Sequence, residues 1–199
     1  MNTIPLIIAS YDHALWTVFQ THADPDEARG WIGQTLYGTF SSRYPEHADE
    51  LITAYLDFNL AHLDELALPY EGMAELLTEL TKAGVTIGVA TSKRRSSAEA
   101  TLRAVGLDGL IPVTAGMEDT QSHKPDPDPL LLAVERLGHA PAESAYVGDA
   151  VVDVLAAQAA GMDAIAVTWG AGLEDELTAA NPTTLCGVMP ALRSALLGC

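Results

Sequence analysis

The hydrophobic pattern of this chain changes period about a third of the way along. Up to about Leu68, apolar positions recur at helical spacing. Ile7, Tyr11, Ala14, Leu15 and Val18 share one face of a predicted helix over 1–21, which Asn2 or Thr3 can cap and whose first turn suits Pro5. Asp24-Pro25-Asp26-Glu27 opens a second helix with an Asp cap, a proline at the first position and acids in the first turn. Gly30 and Gly33 bracket Trp31-Ile32 and mark a break. A third helix is predicted over 45–66, with Leu51, Ala54, Tyr55, Phe58 and Ala61 on one face.

After Pro69 short β-rich runs alternate with helical ones. The pattern predicts helices over 71–83, 96–105, 127–137, 151–160, 173–179 and 190–197. It predicts strands over 85–90, 111–114, 145–147, 163–167 and 185–188. Such alternation implies an α/β fold with a parallel, doubly wound sheet. Residues 1–68 are then expected to form a helical cap with a short N-terminal linker, and residues 69–199 the α/β core.

Composition narrows the function. With 199 residues, 48% of them hydrophobic, the chain has enough apolar surface for a real core. A formal net charge of −17 disfavours nucleic acid and anionic membranes as partners. No apolar run approaches the ~20 residues of a membrane span. Ile4 to Ala9 is apolar, but no Lys or Arg precedes Arg29, so the cationic start of a signal peptide is absent. Cys186 and Cys199 have no metal-like spacing and read as reduced thiols of a cytoplasmic protein.

In open parallel sheets, ligands bind beyond the carboxyl ends of the strands. Three such ends carry chemistry. Thr91-Ser92-Lys93 follows the run 85–90 and offers hydroxyls, backbone amides and a cation ahead of a helix N-terminus, which is a phosphate cradle. Lys93, Arg94 and Arg95 are consecutive in a chain with only ten Lys and Arg, so they suggest an anion site; a solvated helix start is the other reading. Lys124 stands in the proline-rich run from Gln121 to Pro129, which holds it in place unless it is a plain surface lysine. Gly148-Asp149 and Asp153 place two carboxylates four residues apart where strand becomes helix. Asp149 is there either a metal or polar-ligand contact or simply a helix cap.

Together these motifs resemble the haloacid dehalogenase (HAD) superfamily, particularly its phosphoglycolate-phosphatase-like members with a helical cap. Val89-Ala90-Thr91-Ser92-Lys93 resembles the family's second motif, His123-Lys124-Pro125-Asp126-Pro127 the third, and Gly148-Asp149-Ala150-Val151-Val152-Asp153 the fourth. The resemblance implies Thr91 as phosphate-binding hydroxyl, Lys124 as phosphate-neutralising lysine, Asp149 as a magnesium ligand and Asp153 as supporting carboxylate. It also implies that Gly33 sits in the cap loop that closes over substrate. The family's first motif, Asp-x-Asp-Gly-Thr on the first core strand, supplies its nucleophile and general acid, and it does not occur in these residues. Asn2-Thr3-Ile4-Pro5 match the stretch leading into the cap, so the chain reads as beginning just after that motif. Asp24-Pro25-Asp26 and Asp126-Pro127-Asp128 neither follow a strand nor precede Gly-Thr, and read as structural.

From this we expect a HAD-like protein without the Asp nucleophile, its first core strand missing, repurposed for acid-base or electrostatic chemistry on a small anionic molecule. The alternatives are a Mg²⁺-dependent phosphomonoesterase whose first strand lies outside this sequence, and a non-catalytic anion-binding protein. The expected catalytic residues are Asp149 and Lys124, with Asp12 and His13 on the first helix as substitutes and His62 a further candidate. Thr91, Ser92, Lys93 and Lys124 are expected to bind the anion. Asp149 and Asp153 would hold Mg²⁺ weakly or not at all. Without the first strand, those ending near Thr91 and Asp149 are expected to pair directly, or another segment to fill the slot, since buried backbone groups need partners. A partner chain at that gap would make a homodimer.

Overall fold

A computed structural model describes residues 1–198; Cys199 lies outside the described residues. Five helices come first: α1 (Ile4–Phe19), α2 (Pro25–Gly30), α3 (Leu36–Arg43), α4 (Ala48–Ala61) and α5 (Leu63–Leu66). The α/β part follows as α6 (Met73–Lys82), β1 (Val89–Ala90), α7 (Arg95–Ala104), β2 (Val113–Ala115), α8 (Asp128–Leu137), β3 (Ala145–Gly148), α9 (Val151–Ala160), β4 (Asp163–Val167), α10 (Glu174–Ala179), β5 (Thr184–Cys186) and α11 (Met189–Leu197).

The helical unit is built around Tyr11. Its ring meets Trp31 edge-on at 4.9 Å, Phe40 at 5.5 Å and Tyr55 at 4.9 Å. Edge and tilted contacts of this kind let aromatic rings fill a small core densely. Asp24 caps α2, accepting the N–H groups of Asp26 and Glu27 at 2.9 Å each. Helix α3 escaped the sequence pattern because its apolar residues, Leu36, Tyr37 and Phe40, span little more than one turn. Thr35 starts it by accepting the Gly38 N–H at 3.1 Å. The helix predicted over 45–66 is three pieces: a 3-10 turn at Pro45–His47, then α4, then α5. His62 is the joint, with its backbone N–H bonded to the Phe58 carbonyl and its Nδ1 2.9 Å from the same oxygen.

All strand pairs are parallel. In β4, Ile165 and Val167 face α6 and α11 through Leu76, Leu80 and Leu192, while Ala164 and Ala166 face α8 and α9. This is the period-two alternation of a strand buried on both faces. The alanines Ala156, Ala157 and Ala160 let α9 lie close to the sheet. Leu6, Leu63 and Ala67 pack with Leu77, Leu102 and Leu107 and join the helical unit to the α/β part.

The strands form two separate groups, β1–β2 and β3–β4–β5. This corrects the expectation for the slot. The strands ending near Thr91 and Asp149 do not pair, and among the described residues no strand lies between them. A side chain spans the interval instead: the Tyr146 hydroxyl donates to the Ala90 carbonyl at 3.0 Å. A tyrosine reaches across where a backbone does not, and it satisfies an acceptor that would otherwise face the gap. The run 85–90 is correspondingly strand only at Val89–Ala90, and Val85 is exposed. Among the described residues no helix is long and apolar enough to cross a membrane.

Candidate functional site

Between the strand ends and the helical unit lies a cavity of about 560 Å³. Thr91, Ser92, Lys93, Arg94, Lys124, Asp149 and Asp153 all line it, so the fold gathers the three strand-end motifs in one place.

After β1 the chain turns sharply. The Thr91 Oγ1 accepts the Lys93 N–H at 3.2 Å, which orders the turn. The Ser92 hydroxyl donates to the Gly33 carbonyl at 2.9 Å and so ties the α/β part to the helical unit. Gly33 has φ +95°, and a Cβ there would lie 3.1 Å from Val152 and 3.3 Å from Ala150. Only glycine lets this loop rest on the start of α9 in that conformation. Of the three consecutive cations, Lys93 and Arg94 line the cavity. Arg95 points elsewhere: its guanidinium pairs with Asp119 at 2.7 Å and bonds the Val113 carbonyl. Burial pushes Lys93 down to about 8.

Lys124 is held from two sides. Its Nζ lies 2.5 Å from Asp153 Oδ1 and 3.0 Å from the Tyr146 hydroxyl. The Lys124 and Asp153 side chains are only 7% and 6% exposed, so neither charge is met by bulk water. Burial by itself lowers the Lys124 pKa, but Tyr146 and Asp153 outweigh it and raise the ammonium above its ordinary range. Burial is also the main reason Tyr146 is pushed up to about 12.

Asp153 has no oxygen to spare. Oδ1 takes Lys124, and Oδ2 accepts the N–H groups of Asp149 at 3.2 Å and Ala150 at 3.1 Å. It therefore performs the reach-back half of a helix cap and anchors the lysine. In this arrangement Asp153 is committed to Lys124 and to the helix start, and the cap position of α9 is Ala150 rather than Asp149. Asp149 is held by a loop that sequence reasoning missed. Its Oδ2 accepts the Ala171 N–H at 2.9 Å, and its carbonyl accepts the Gly172 N–H at 2.7 Å. A Cβ on Gly170 would fall inside the Asp149 side chain, and one on Gly148 inside Asp153. The signal was present as Gly170-Ala171-Gly172 just after a strand end. Burial, then the neighbouring Asp153, raises the Asp149 pKa.

Asp12 and His13 do not line the cavity. Asp12 accepts the Ala23 N–H at 2.9 Å and pairs with His22 at 2.9 Å. His13 stacks on Phe58, ring centres 4.6 Å apart. The reason is rotational: Tyr11 faces the aromatic core, and each further residue turns about 100° around the helix. His62 stacks on the same Phe58, ring centres 4.0 Å apart, and is likewise outside the cavity.

A bound Mg²⁺ needs an octahedron of oxygens, commonly one or two carboxylates completed by phosphate and water. Among the described residues no group of three His, Cys, Asp or Glu could hold a metal. With Asp153 engaged by Lys124 and the helix start, only Asp149 offers a carboxylate oxygen on the strand-end side of the cavity. These residues alone do not fit a resident ion.

The model of the haloacid dehalogenase-like hydrolase family matches residues 1–167. This chain belongs to that family. Pyrophosphatase PpaX of Bacillus cereus (strain AH820) is 37% identical over 169 residues, covering 85% of this chain and 78% of the relative. A haloacid dehalogenase-like hydrolase from Bacteroides fragilis superposes with a TM-score of 0.85 at 28% identity, covering 96% of this chain and 92% of the other. A hydrolase from Pseudomonas syringae superposes with a TM-score of 0.85 at 23% identity, over 98% and 92% of the two chains, a likeness of fold alone. The α/β HAD-like architecture expected from the strand-end motifs is thus the one this chain has.

Proposed function

We infer that the cavity takes the phosphate group of a phosphomonoester and serves phosphoryl hydrolysis of the HAD type. The observation that carries this reading is Lys124. It is a buried ammonium fixed beside the Thr91 turn with two of its three N–H groups directed to Asp153 and Tyr146. One donor remains for an anion. Thr91 adds a hydroxyl, and Lys93 and Arg94 add positive charge along the wall. Fixed donors and cations aimed at a phosphoryl group are how such sites stabilise its charge. Asp149, the carboxylate with an oxygen to offer, would face Mg²⁺ only in company with the phosphate itself.

Family membership and the pyrophosphatase name of the curated relatives favour this phosphatase alternative over a repurposed non-phosphatase and over a purely anion-binding protein. No bond-breaking step is assigned to a residue of this chain: the family's Asp-x-Asp-Gly-Thr is not among these residues, and the two Asp-x-Asp sequences do not line the cavity.

Calorimetry with inorganic phosphate tests the site. Saturable binding is expected, weakened at least tenfold in Lys124→Met and in Thr91→Val. Affinity unchanged in both variants would overturn the reading. The coding DNA upstream of the Met1 codon tests the hydrolysis. An in-frame Asp-x-Asp-Gly-Thr would provide the aspartyl-phosphate route, and a stop codon in that stretch would return the reading to non-phosphatase chemistry.

A further inference from the structure

The geometry points to a substrate whose phosphate is attached to an apolar, ring-sized group, rather than to a second phosphate or a carboxylate. This rests on the phosphate reading above and adds the identity of what the phosphate is attached to.

The cavity has two unlike walls. Its side-chain cations, Lys93, Arg94 and Lys124, all belong to the strand-end side, and the Met1 amino group, which also lines it, is pushed down to about 6 by burial. The helical unit contributes Trp31, Ile32, Leu36, Ile52, Tyr55 and Leu56, with Gln34 and Asn59 as neutral polar groups. Among the described residues, Asp49 is the only charged side chain that the helical unit places on the lining. A second anionic group reaching that wall would find no side-chain cation and one carboxylate. Inorganic pyrophosphate or a phosphorylated hydroxy acid would thus leave the apolar wall unused or place charge against it, which is unfavourable in a desolvated recess. An aromatic or branched aliphatic group would remove that wall and its own surface from water together.

Tyr11, Trp31 and Tyr55 line the cavity and are only 3%, 2% and 8% exposed, so they form a fixed backing to this wall. The apolar surface left open to a ligand is that of Ile32, Leu36, Ile52 and Leu56, each half-buried. The pyrophosphatase relatives share the family with this chain; its helical wall is what argues for a different leaving group.

The test is calorimetric competition on the full 199-residue chain with 1-naphthyl phosphate, inorganic phosphate, inorganic pyrophosphate and 1-naphthol. We expect naphthyl phosphate to bind at least tenfold more tightly than either inorganic anion. Leu56→Asn and the surface-accessible Tyr37→Ala should each reduce that advantage at least threefold, with inorganic phosphate affinity held within twofold. Circular dichroism would verify that both variants are folded. Inorganic phosphate binding through Lys124 with no naphthyl advantage, or with pyrophosphate the tightest ligand, would overturn this inference and leave the phosphate reading standing. Absence of binding by all three anions would overturn both, and naphthol binding as tightly as naphthyl phosphate would overturn the pairing of phosphate with ring.

Discussion

Lys124, Asp153 and Tyr146 form a buried trio in which each polar atom answers another. Removing one partner of a buried ion pair leaves the other charge uncompensated, typically at a cost of roughly 3–5 kcal/mol. Lys124→Ala should therefore lower the free energy of unfolding by about that much in urea titrations, besides weakening phosphate. A loss under about 1 kcal/mol would mean that water or relaxation rescues Asp153. Lys93 gives a pH signature. Its pKa is pushed down by burial to about 8, so its positive charge fades as pH rises through that value. Sulfate, which does not titrate in this range, should bind more weakly at pH 9 than at pH 7, about the window set by the Lys93 shift. Lys93→Met should flatten the curve, and an unchanged slope in that variant would remove Lys93 from the anion site. Much of this was legible in the sequence, because Thr91, Lys124 and Asp149 sit at strand ends where side chains converge. What was not legible was the division of labour between the two aspartates. That depends on which lone pairs Ala171, Ala150 and Lys124 already occupy, and pairing at that level is a property of the folded loop.

At the scale of elements, Asp119 binds three of them together. It accepts the Gly116 N–H at 2.7 Å after β2, pairs with Arg95 of α7 at 2.7 Å and with Arg136 of α8 at 3.0 Å. Arg136 first, then the Gly116 N–H and Arg95, hold its carboxyl well below the ordinary 3.8. A carboxylate whose folded pKa is depressed contributes stability above its unfolded value and loses it as pH falls through the folded one. Acid unfolding of the wild type should thus steepen below the ordinary 3.8, and Asp119→Asn should be less stable at pH 7 yet flatter below 3.8. Parallel profiles would sink the assignment. The elements themselves were readable to differing degrees. Helix α9 and strand β4 have the bounds the pattern predicts, because each is long and continuous in its period. The run 85–90 has strand composition throughout, yet Val85 to Gly88 lie outside β1. Pairing partners, rather than propensity, decide where a strand stops. The broken helix at His62 reflects a local carbonyl contact that no hydrophobic period encodes.

The whole molecule carries 27 acidic against 10 basic residues, yet it collects three of those cations around one cavity. Self-repulsion among like charges destabilises a compact state, and salt screens it. The thermal midpoint should accordingly rise as ionic strength goes from about 0.01 M to about 0.15 M, over which the screening length falls from roughly 30 to 8 Å. A midpoint that falls would mean that ion pairs such as Arg193–Glu79 outweigh the net charge. The same field acts on ligands, since an anion must cross a negative surface before it meets Lys93 or Lys124.

The bond from Ser92 to Gly33 joins one wall of the cavity to the other. With it made, the Gly33 loop lies against Val152 and Ala150, and Arg29 reaches the Gly170 carbonyl at 3.4 Å. Parting of these contacts would widen the way into the cavity, and motions of that kind commonly run on microsecond to millisecond timescales. Ser92→Ala removes one strand of the tie without touching the lysines. It should leave equilibrium affinity for phosphate near its starting value while making association and dissociation faster together in stopped-flow traces. The serine would then act as a timekeeper: it sets how fast molecules enter and leave, and the cations set what share of them is bound.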